Sequence, residues 1–393
     1  MISLITKPAR HGARFHTLTV TEVERLTDDA VAVSFAVPDE LAEEFVFEPG
    51  QHLTLRATVD GQDARRSYSI CLSRPDALAR KELRIAAARV GGGLLSNWIN
   101  DSMVAGDQIE VMTPLGGFTC ATQPDAIRHH VAIAAGSGIT PVMSLLSTAL
   151  AEEPASRATL IFGNRHTRSI MFLEELEDLK NEYPDRFHLM NFLSREAQNV
   201  ELFSGRLDRG RLERILGVLV PVETVDEWYL CGPFGLVESA QRLLADLGVD
   251  SRHVHHEVFH VDDSSAGPAE PADAMEAMEA MEALEAMEAM EAVAAAPGKP
   301  AEAVVTVNLD GRTTVIQMPF RRETILAATL RARPDAPFSC TGGMCGTCRA
   351  RVVEGEVRMD RQYALEPEDV AAGIVLACQA HPITATVSLD YDA

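Results

Sequence analysis

Four cysteines constrain this chain more than any other feature. Cys340, Cys345 and Cys348 stand in the run Cys-Thr-Gly-Gly-Met-Cys-Gly-Thr-Cys, and Cys378 follows in Leu-Ala-Cys-Gln. The spacing C-x4-C-x2-C with a distant fourth cysteine is the plant-type pattern for a [2Fe-2S] cluster. Four thiolates must surround two irons, so the loop has to turn sharply and aim backbone N–H groups at sulfur. Gly342, Gly343 and Gly346 suit such turns because glycine takes positive φ at little steric cost. A zinc site would call for paired C-x2-C or Cys/His units, and this chain has a single C-x2-C. Cys71, Cys120 and Cys231 are scattered, which fits a reducing compartment better than a disulfide framework.

The chain has 393 residues, enough for two to four domains. Its net charge of −23 argues against a nucleic-acid partner, since phosphate binding needs a basic surface. Residues 262–302 hold eleven of the acids against Lys299 alone. Within them, Met275 to Ala292 is a tandem triplet, Met-Glu-Ala five times and Leu-Glu-Ala once. Met, Glu and Ala favour helix, yet a three-residue period drifts about 60° per repeat around a 3.6-residue turn and builds no apolar stripe. The segment reads as a semi-rigid acidic tether. Apolar runs stay well short of a membrane span, and Ile2 to Ile5 is too short for a signal-peptide core, so a cytoplasmic location with no membrane partner is expected.

Before the tether, hydrophobic periodicity changes once. From Phe15 to Pro124 short strands alternate with turns such as Pro49-Gly50 and Asp60-Gly61, with Leu94 to Asn100 as the only helical interruption, which predicts an antiparallel β-barrel. From His130 strand and helix patterns alternate to Phe259, which predicts an α/β parallel sheet with helices on both faces. After Pro300 a hairpin turning at Asp310-Gly311, a short helix, the cysteine loop and further strands predict a small α+β domain. The domain boundaries follow as 12–124, 125–261, the linker 262–302, and 303–393.

Arg66-Ser67-Tyr68-Ser69 lies on a strand where Arg66 and Tyr68 share one face. A guanidinium suits phosphate, and a phenol ring suits a flat aromatic ligand. Gly91-Gly92-Gly93-Leu94-Leu95-Ser96 runs glycines into a helix start, where free N–H groups favour an anion. Gly136-Ser137-Gly138-Ile139-Thr140-Pro141 follows a strand as a dinucleotide loop does, with Pro141 suited to the first helical position. Cys231-Gly232-Pro233 ends a later strand, and Ser194-Arg195 follows another. His253, His255 and His256 lack further ligands and make a poor metal site.

At these residues the chain resembles the ferredoxin–NADP reductase superfamily fused to a plant-type ferredoxin of the β-grasp kind. The resemblance implies that Arg66 pairs with the FAD phosphate, Tyr68 packs on the isoalloxazine and Ser69 sits near N5. It implies that Gly93, Leu95 and Ser96 touch the flavin pyrophosphate, and that Gly136, Gly138, Thr140 and Pro141 hold the nicotinamide cofactor's pyrophosphate. Cys231, Gly232 and Pro233 would lie beside the nicotinamide, Ser194 and Arg195 beside the adenosine ribose, and Phe259, after Glu257 and Val258, near the flavin. Cys340, Cys345, Cys348 and Cys378 are the implied cluster ligands. Arg195 favours NADPH over NADH, because NAD users tend to present an acid there.

The segments Phe15 to Val20, Arg66 to Cys71, Glu354 to Asp360 and Asp390 to Ala393 resemble most the reductase components of bacterial multicomponent diiron monooxygenases. That implies an enzyme passing electrons from NADPH through FAD and the [2Fe-2S] cluster to a diiron oxygenase. The same architecture serves steroid and ring hydroxylases and fatty-acyl desaturases. A zinc-bearing interaction module on a non-catalytic barrel is the alternative of another class.

Overall fold

The computed structural model describes residues 13–260, 302–320 and 322–393. The Met-Glu-Ala repeat lies outside the described residues. The chain divides into two compact units, and the loop Pro337–Cys348 is counted with the first of them.

The first unit opens with a six-stranded antiparallel sheet in the order β4-β3-β6-β1-β2-β5. The strands are β1 (Phe15–Thr27), β2 (Ala30–Ala36), β3 (His52–Val59), β4 (Gln62–Ser69), β5 (Glu82–Ala88) and β6 (Gln108–Met112). Its two edges meet at the bridge between Ile70 and Ile85, which closes the barrel. Alternate residues fill the interior: Leu18 and Val20, Val31, Val33 and Phe35, Leu53 and Leu55 are all buried. Each such side chain contributes about 1.5–3 kcal/mol by leaving water.

One expectation fails here. Besides α2 (Leu94–Ser102), the barrel carries a second helix, α1 (Arg74–Arg80). Ser73 caps it by accepting from the Asp76 amide, Pro75 lies in its first turn, and Lys81 ends it in the left-handed region at φ 54°. Its seven residues are too few for a 3.6-period stripe to register. The Arg74 guanidinium reaches Glu48 at 2.7 Å and Thr122 at 2.7 Å, and its Nε donates to Glu152 at 3.1 Å, tying α1 to the next domain.

That domain is a five-stranded parallel sheet in the order β11-β10-β7-β8-β9. Its strands are β7 (His129–Ala135), β8 (Arg157–Asn164), β9 (Phe187–Leu193), β10 (Glu227–Pro233) and β11 (Val254–His260). The connecting helices are α3 (Ile139–Glu152), α4 (Leu173–Glu182), α5 (Arg209–Val218) and α6 (Phe234–Asp246). The chain steps outward from β7 to β9, then returns across the sheet to β10. Right-handed crossovers therefore put α3 and α4 on one face and α5 and α6 on the other. The order reverses between β7 and β10, and the crevice beyond their C-terminal ends is where such sheets bind ligands. Near the opposite end of the sheet, Glu153 is fully buried and satisfied by Arg128, by His130 at 3.0 Å, by Ser156 at 2.7 Å and by the Gln123 amide at 3.0 Å. These partners overcome its burial and hold its pKa down at about 2.

The second unit is built on a five-stranded sheet in the order β13-β12-β18-β14-β16. Its strands are β12 (Glu302–Leu309), β13 (Arg312–Pro319), β14 (Arg349–Glu354), β16 (Ile374–Leu376) and β18 (Thr386–Asp390). The pairing of β12 with β18 is parallel, and α7 (Ile325–Ala332) packs on β13. The hairpin turns at Asp310 and Gly311, both at positive φ, as expected. Two features had no expectation: the paired three-residue strands β15 (Val357–Met359) and β17 (Ala380–Pro382). The other helix is α8 (Pro367–Ala371).

Candidate functional site

β4 divides its labour by alternation. Arg66 is exposed, its Nη1 donates to the Arg65 carbonyl at 2.7 Å, and among the described residues it pairs with no carboxylate. Tyr68 is half-buried against the barrel core, and its hydroxyl is enclosed without a hydrogen-bond partner. Burial pushes the Tyr68 phenol pKa up, so it stays neutral. An unpaired guanidinium and an orphaned phenol on one side of a strand fit a ligand with a phosphate and an aromatic body.

The N-terminus of α2 repeats the pattern. Gly93 is its N-cap and no side chain caps it. The Ser96 hydroxyl is buried without a partner, and a Cβ on Gly93 would lie 2.6 Å from it. The Leu95 side chain is buried in the core, while its amide is one of the first-turn donors of the helix. Free first-turn amides beside an unspent hydroxyl form an anion cradle.

At the crevice, Gly136 to Gly138 form a single 3-10 turn leading into α3, which also lacks a side-chain cap. Gly136 takes φ +55° with open space beside it. Thr140 donates to the Ser137 carbonyl at 3.0 Å and so shapes the loop. Pro141 is the third residue of the helix and not the first, a position where its missing N–H costs nothing because no first-turn N–H has an intrahelical partner. Cys231 is fully buried at the end of β10, in register with Ala134 on one side and Glu257 on the other. Gly232 follows at φ +153°, and Pro233 is exposed at the strand end.

Glu257 was placed only loosely by sequence reasoning, yet it is the most perturbed carboxylate described. Its Oε2 is enclosed with no hydrogen-bond partner, and burial pushes its pKa up to about 8, with Ser69 as the one neighbour that favours its charged form. Burial, with Glu257 beside it, also raises the Cys231 thiol. Ser69, itself buried, thus joins the barrel to the crevice through Glu257 and Cys231. A carboxyl whose pKa burial raises to about 8, next to a hydroxyl and a neutral thiol, can hold or release a proton near neutral pH. Phe259, two residues on, is half-buried against the core of the parallel-sheet domain.

Ser194 and Arg195 follow β9, their amides bonded to the Asn164 and Arg165 carbonyls at 2.9 and 2.8 Å. Arg195 is exposed and pairs with no acid among the described residues. The neighbouring carboxylate, Glu196, is engaged by the amide and hydroxyl of Thr167 at 2.8 and 2.7 Å. The strand end therefore presents a free guanidinium and an occupied acid. His253 and His255 both turn to Glu227, at 3.4 and 3.0 Å, and form a hydrogen-bonded cluster.

In the cysteine loop, the Gly342 amide donates to Cys340 Sγ at 3.4 Å. Cys345 and the amides of Gly342, Met344 and Cys345 together hold the Cys340 thiol pKa well below its ordinary value. Amides converging on sulfur are the donor set a ligating thiolate needs. The left-handed positions are Thr341 at φ +52°, Gly343 at +80° and Gly346 at +68°. Gly342 is not among them, contrary to expectation. Thr341 takes that turn, its hydroxyl donating to the Cys340 carbonyl at 2.8 Å. Cys348 and Cys378 are both buried, and Cys378 lies in the turn between β16 and β17.

Three family models match the chain: an oxidoreductase FAD-binding domain over residues 17–120, an oxidoreductase NAD-binding domain over 132–242, and a 2Fe-2S iron-sulfur cluster binding domain over 307–382. One component of the 1,2-phenylacetyl-CoA epoxidase of Escherichia coli is 38% identical, over 96% of this chain and 98% of its own length. The ferredoxin reductase component of 3-ketosteroid-9-alpha-monooxygenase from Rhodococcus rhodochrous is 32% identical over 99% and 100%. Phthalate dioxygenase reductase, a solved structure, shares the fold with a TM-score of 0.50 over 96% and 98% at 20% identity. Arg66 to Ser69, the loop Gly136 to Pro141 and the cysteine loop each fall within the corresponding matched segment. The chain belongs to the family of NAD(P)H-dependent reductase components of oxygenases that carry FAD and a [2Fe-2S] cluster on one polypeptide.

Proposed function

We propose that this reductase serves a phenylacetyl-CoA epoxidase, delivering electrons from NADPH to its diiron monooxygenase component. The observation that carries this is the 38% identity to the Escherichia coli epoxidase component across nearly the whole of both chains. The full-length 32% identity to a steroid monooxygenase reductase favours a second reading, the same chemistry with a steroid oxygenase as client.

When bound, FAD would supply two-electron acceptance of a hydride and one-electron release, and the [2Fe-2S] cluster would supply single-electron transfer. This chain's residues bind and orient around that exchange. Arg66 holds the FAD phosphate, Tyr68 backs the ring, and Gly93 and Ser96 close on the pyrophosphate. Gly136, Gly138, Thr140 and Pro141 take the NADPH pyrophosphate, while Ser194 and Arg195 read its 2′-phosphate. Cys231, Gly232 and Pro233 position the nicotinamide, with Phe259 bordering the flavin side. Ser69 and Glu257 hold the proton balance at that contact. Cys340, Cys345, Cys348 and Cys378 ligate the cluster. The domain limits in this reading are 12–124, 125–261 and 303–393, with 262–302 as the linker, and the matched segments 17–120, 132–242 and 307–382 support it.

The test is reconstitution. The purified protein is mixed with the oxygenase components of the epoxidase or with a 3-ketosteroid 9α-oxygenase, and NADPH oxidation dependent on each substrate is followed. Turnover with phenylacetyl-CoA alone supports the first reading. Turnover with the steroid system alone overturns it.

A further inference from the structure

One hydroxyl in the cysteine loop has more neighbours than it has protons. Thr347 Oγ1 is buried 3.2 Å from Cys345 Sγ, 3.2 Å from His52 Nε2 and 3.4 Å from Ser67 Oγ. A hydroxyl donates once and accepts twice. A ligating cysteine is a thiolate, which only accepts, so the Thr347 proton belongs on Cys345 sulfur. The other two neighbours must then donate to the Thr347 oxygen. Ser67 can do so, because its own oxygen lies 3.1 Å from Thr54 Oγ1, its cross-strand partner, whose hydroxyl is free to donate to it. His52 can do so from Nε2–H. It is 2% exposed, and burial lowers its pKa to about 4, so the ring is neutral with a single N–H.

The rest of the strand agrees. Arg65 and Ser67 alternate with Arg66 and Tyr68 along β4, and Arg65 also meets the loop, its guanidinium 4.3 Å from the Phe338 ring centre. One side of β4 carries Arg66 and Tyr68, and the other side meets the cluster loop through Arg65 and Ser67.

We propose that Thr347 donates a hydrogen bond to the cluster ligand Cys345, and that His52 and Ser67 of the flavin barrel act as positioning residues that fix this orientation. A donor on ligand sulfur favours the more negative, reduced cluster and so raises its potential. The barrel thereby tunes the acceptor it feeds. This rests on Cys345 being a cluster ligand.

The test compares Thr347→Val, Thr347→Ser and Ser67→Ala in the full-length holoprotein by iron and sulfide content and by EPR-monitored redox titration. Thr347→Val is expected to keep the cluster and shift its reduction equilibrium about tenfold toward the oxidised form, about 59 mV for one electron. Thr347→Ser is expected to restore the wild-type value, and Ser67→Ala to shift it the same way by less. A wild-type protein with no [2Fe-2S] signal would overturn the ligand reading itself. With that signal intact, wild-type potentials in Thr347→Val and Ser67→Ala, or equal shifts in Thr347→Val and Thr347→Ser, would overturn the proposal. If Thr347→Val holds no cluster, Ser67→Ala decides alone, since its change lies outside the loop.

Discussion

A Cβ on Gly138 would lie 2.3 Å from the carbonyl oxygen of Cys231 and 2.8 Å from the amide nitrogen of Gly232. The dinucleotide loop and the strand end beneath it are therefore in backbone contact, and both sides of the crevice are built from that approach. Neither atom belongs to a side chain that can swing away. Gly138→Ala must push α3 off β10, at a cost of about 1–3 kcal/mol. The expected outcome is a lower melting temperature together with a raised KM for NADPH. Gly136→Ala separates the two effects, because its methyl would meet open space and pays only for the left-handed backbone. Melting curves and steady-state kinetics on the two variants check this.

Glu257 gives the protein a pH dependence of definite sign. Its folded pKa of about 8 lies above the ordinary 4.5, so the folded state keeps a proton that the unfolded state has lost. Stability is fully present below about pH 4.5, falls as pH rises through the window to about 8, and levels off above it. Glu257→Gln should remove that slope and gain on the order of 4 kcal/mol at pH 8. Thermal midpoints of the holoprotein from pH 5 to 9 test it; parallel curves for the two proteins would contradict the assignment. Hydride transfer from NADPH in the variant should also lose its inflection near neutral pH.

Arg195 should discriminate between the two nicotinamide cofactors. A hydrogen bond to a charged partner is worth about 1.5–3 kcal/mol, so Arg195→Ala should raise KM for NADPH about 10- to 100-fold. KM for NADH should change little. Thr167→Ala acts in the same sense, because it loosens the Glu196 carboxylate that Thr167 engages through its hydroxyl at 2.7 Å, and a free acid there repels a 2′-phosphate. Ratios of kcat/KM for the two cofactors report both effects, and a proportional loss with NADPH and NADH would show that Arg195 does not read the 2′-phosphate.

The parts of this molecule legible in the sequence are those where covalent chemistry dictates spacing. The spacing of Cys340, Cys345 and Cys348 is the pattern one 2Fe-2S cluster demands, and Gly138 must be small, so these patterns survive without coordinates. The two sheet types were also readable, because period-2 runs and strand–helix alternation persist over tens of residues. What failed was short or distant. α1 and the pair β15 and β17 are too brief for periodicity, although Ser73 and Pro75 already marked a helix start. Thr341 at φ +52° contradicts the rule that glycine takes such turns. The weight of Glu257 comes from burial, and the contact of His52 with Thr347 spans 295 residues, so neither has a local signature.

Cluster chemistry and flavin chemistry should come apart in a single substitution. Cys378 is buried in the turn after β16, and Cys378→Ser leaves three thiolates where a [2Fe-2S] cluster of this type takes four. The variant should lose the cluster's absorbance and EPR signal, and the matched segment 307–382 should lose stability with it, because ligation contributes to folding of a small domain. FAD content and reduction of the flavin by NADPH depend on residues in 17–120 and 132–242 and should persist. Delivery of electrons to the oxygenase should fall at least tenfold, while direct reduction of ferricyanide by the flavin continues. Anaerobic stopped-flow absorbance separates these steps. Loss of flavin reduction together with the cluster would mean that the cysteine loop is needed to hold the flavin barrel in its working form, which the contacts of Thr347 with His52 and Ser67 make a concrete alternative.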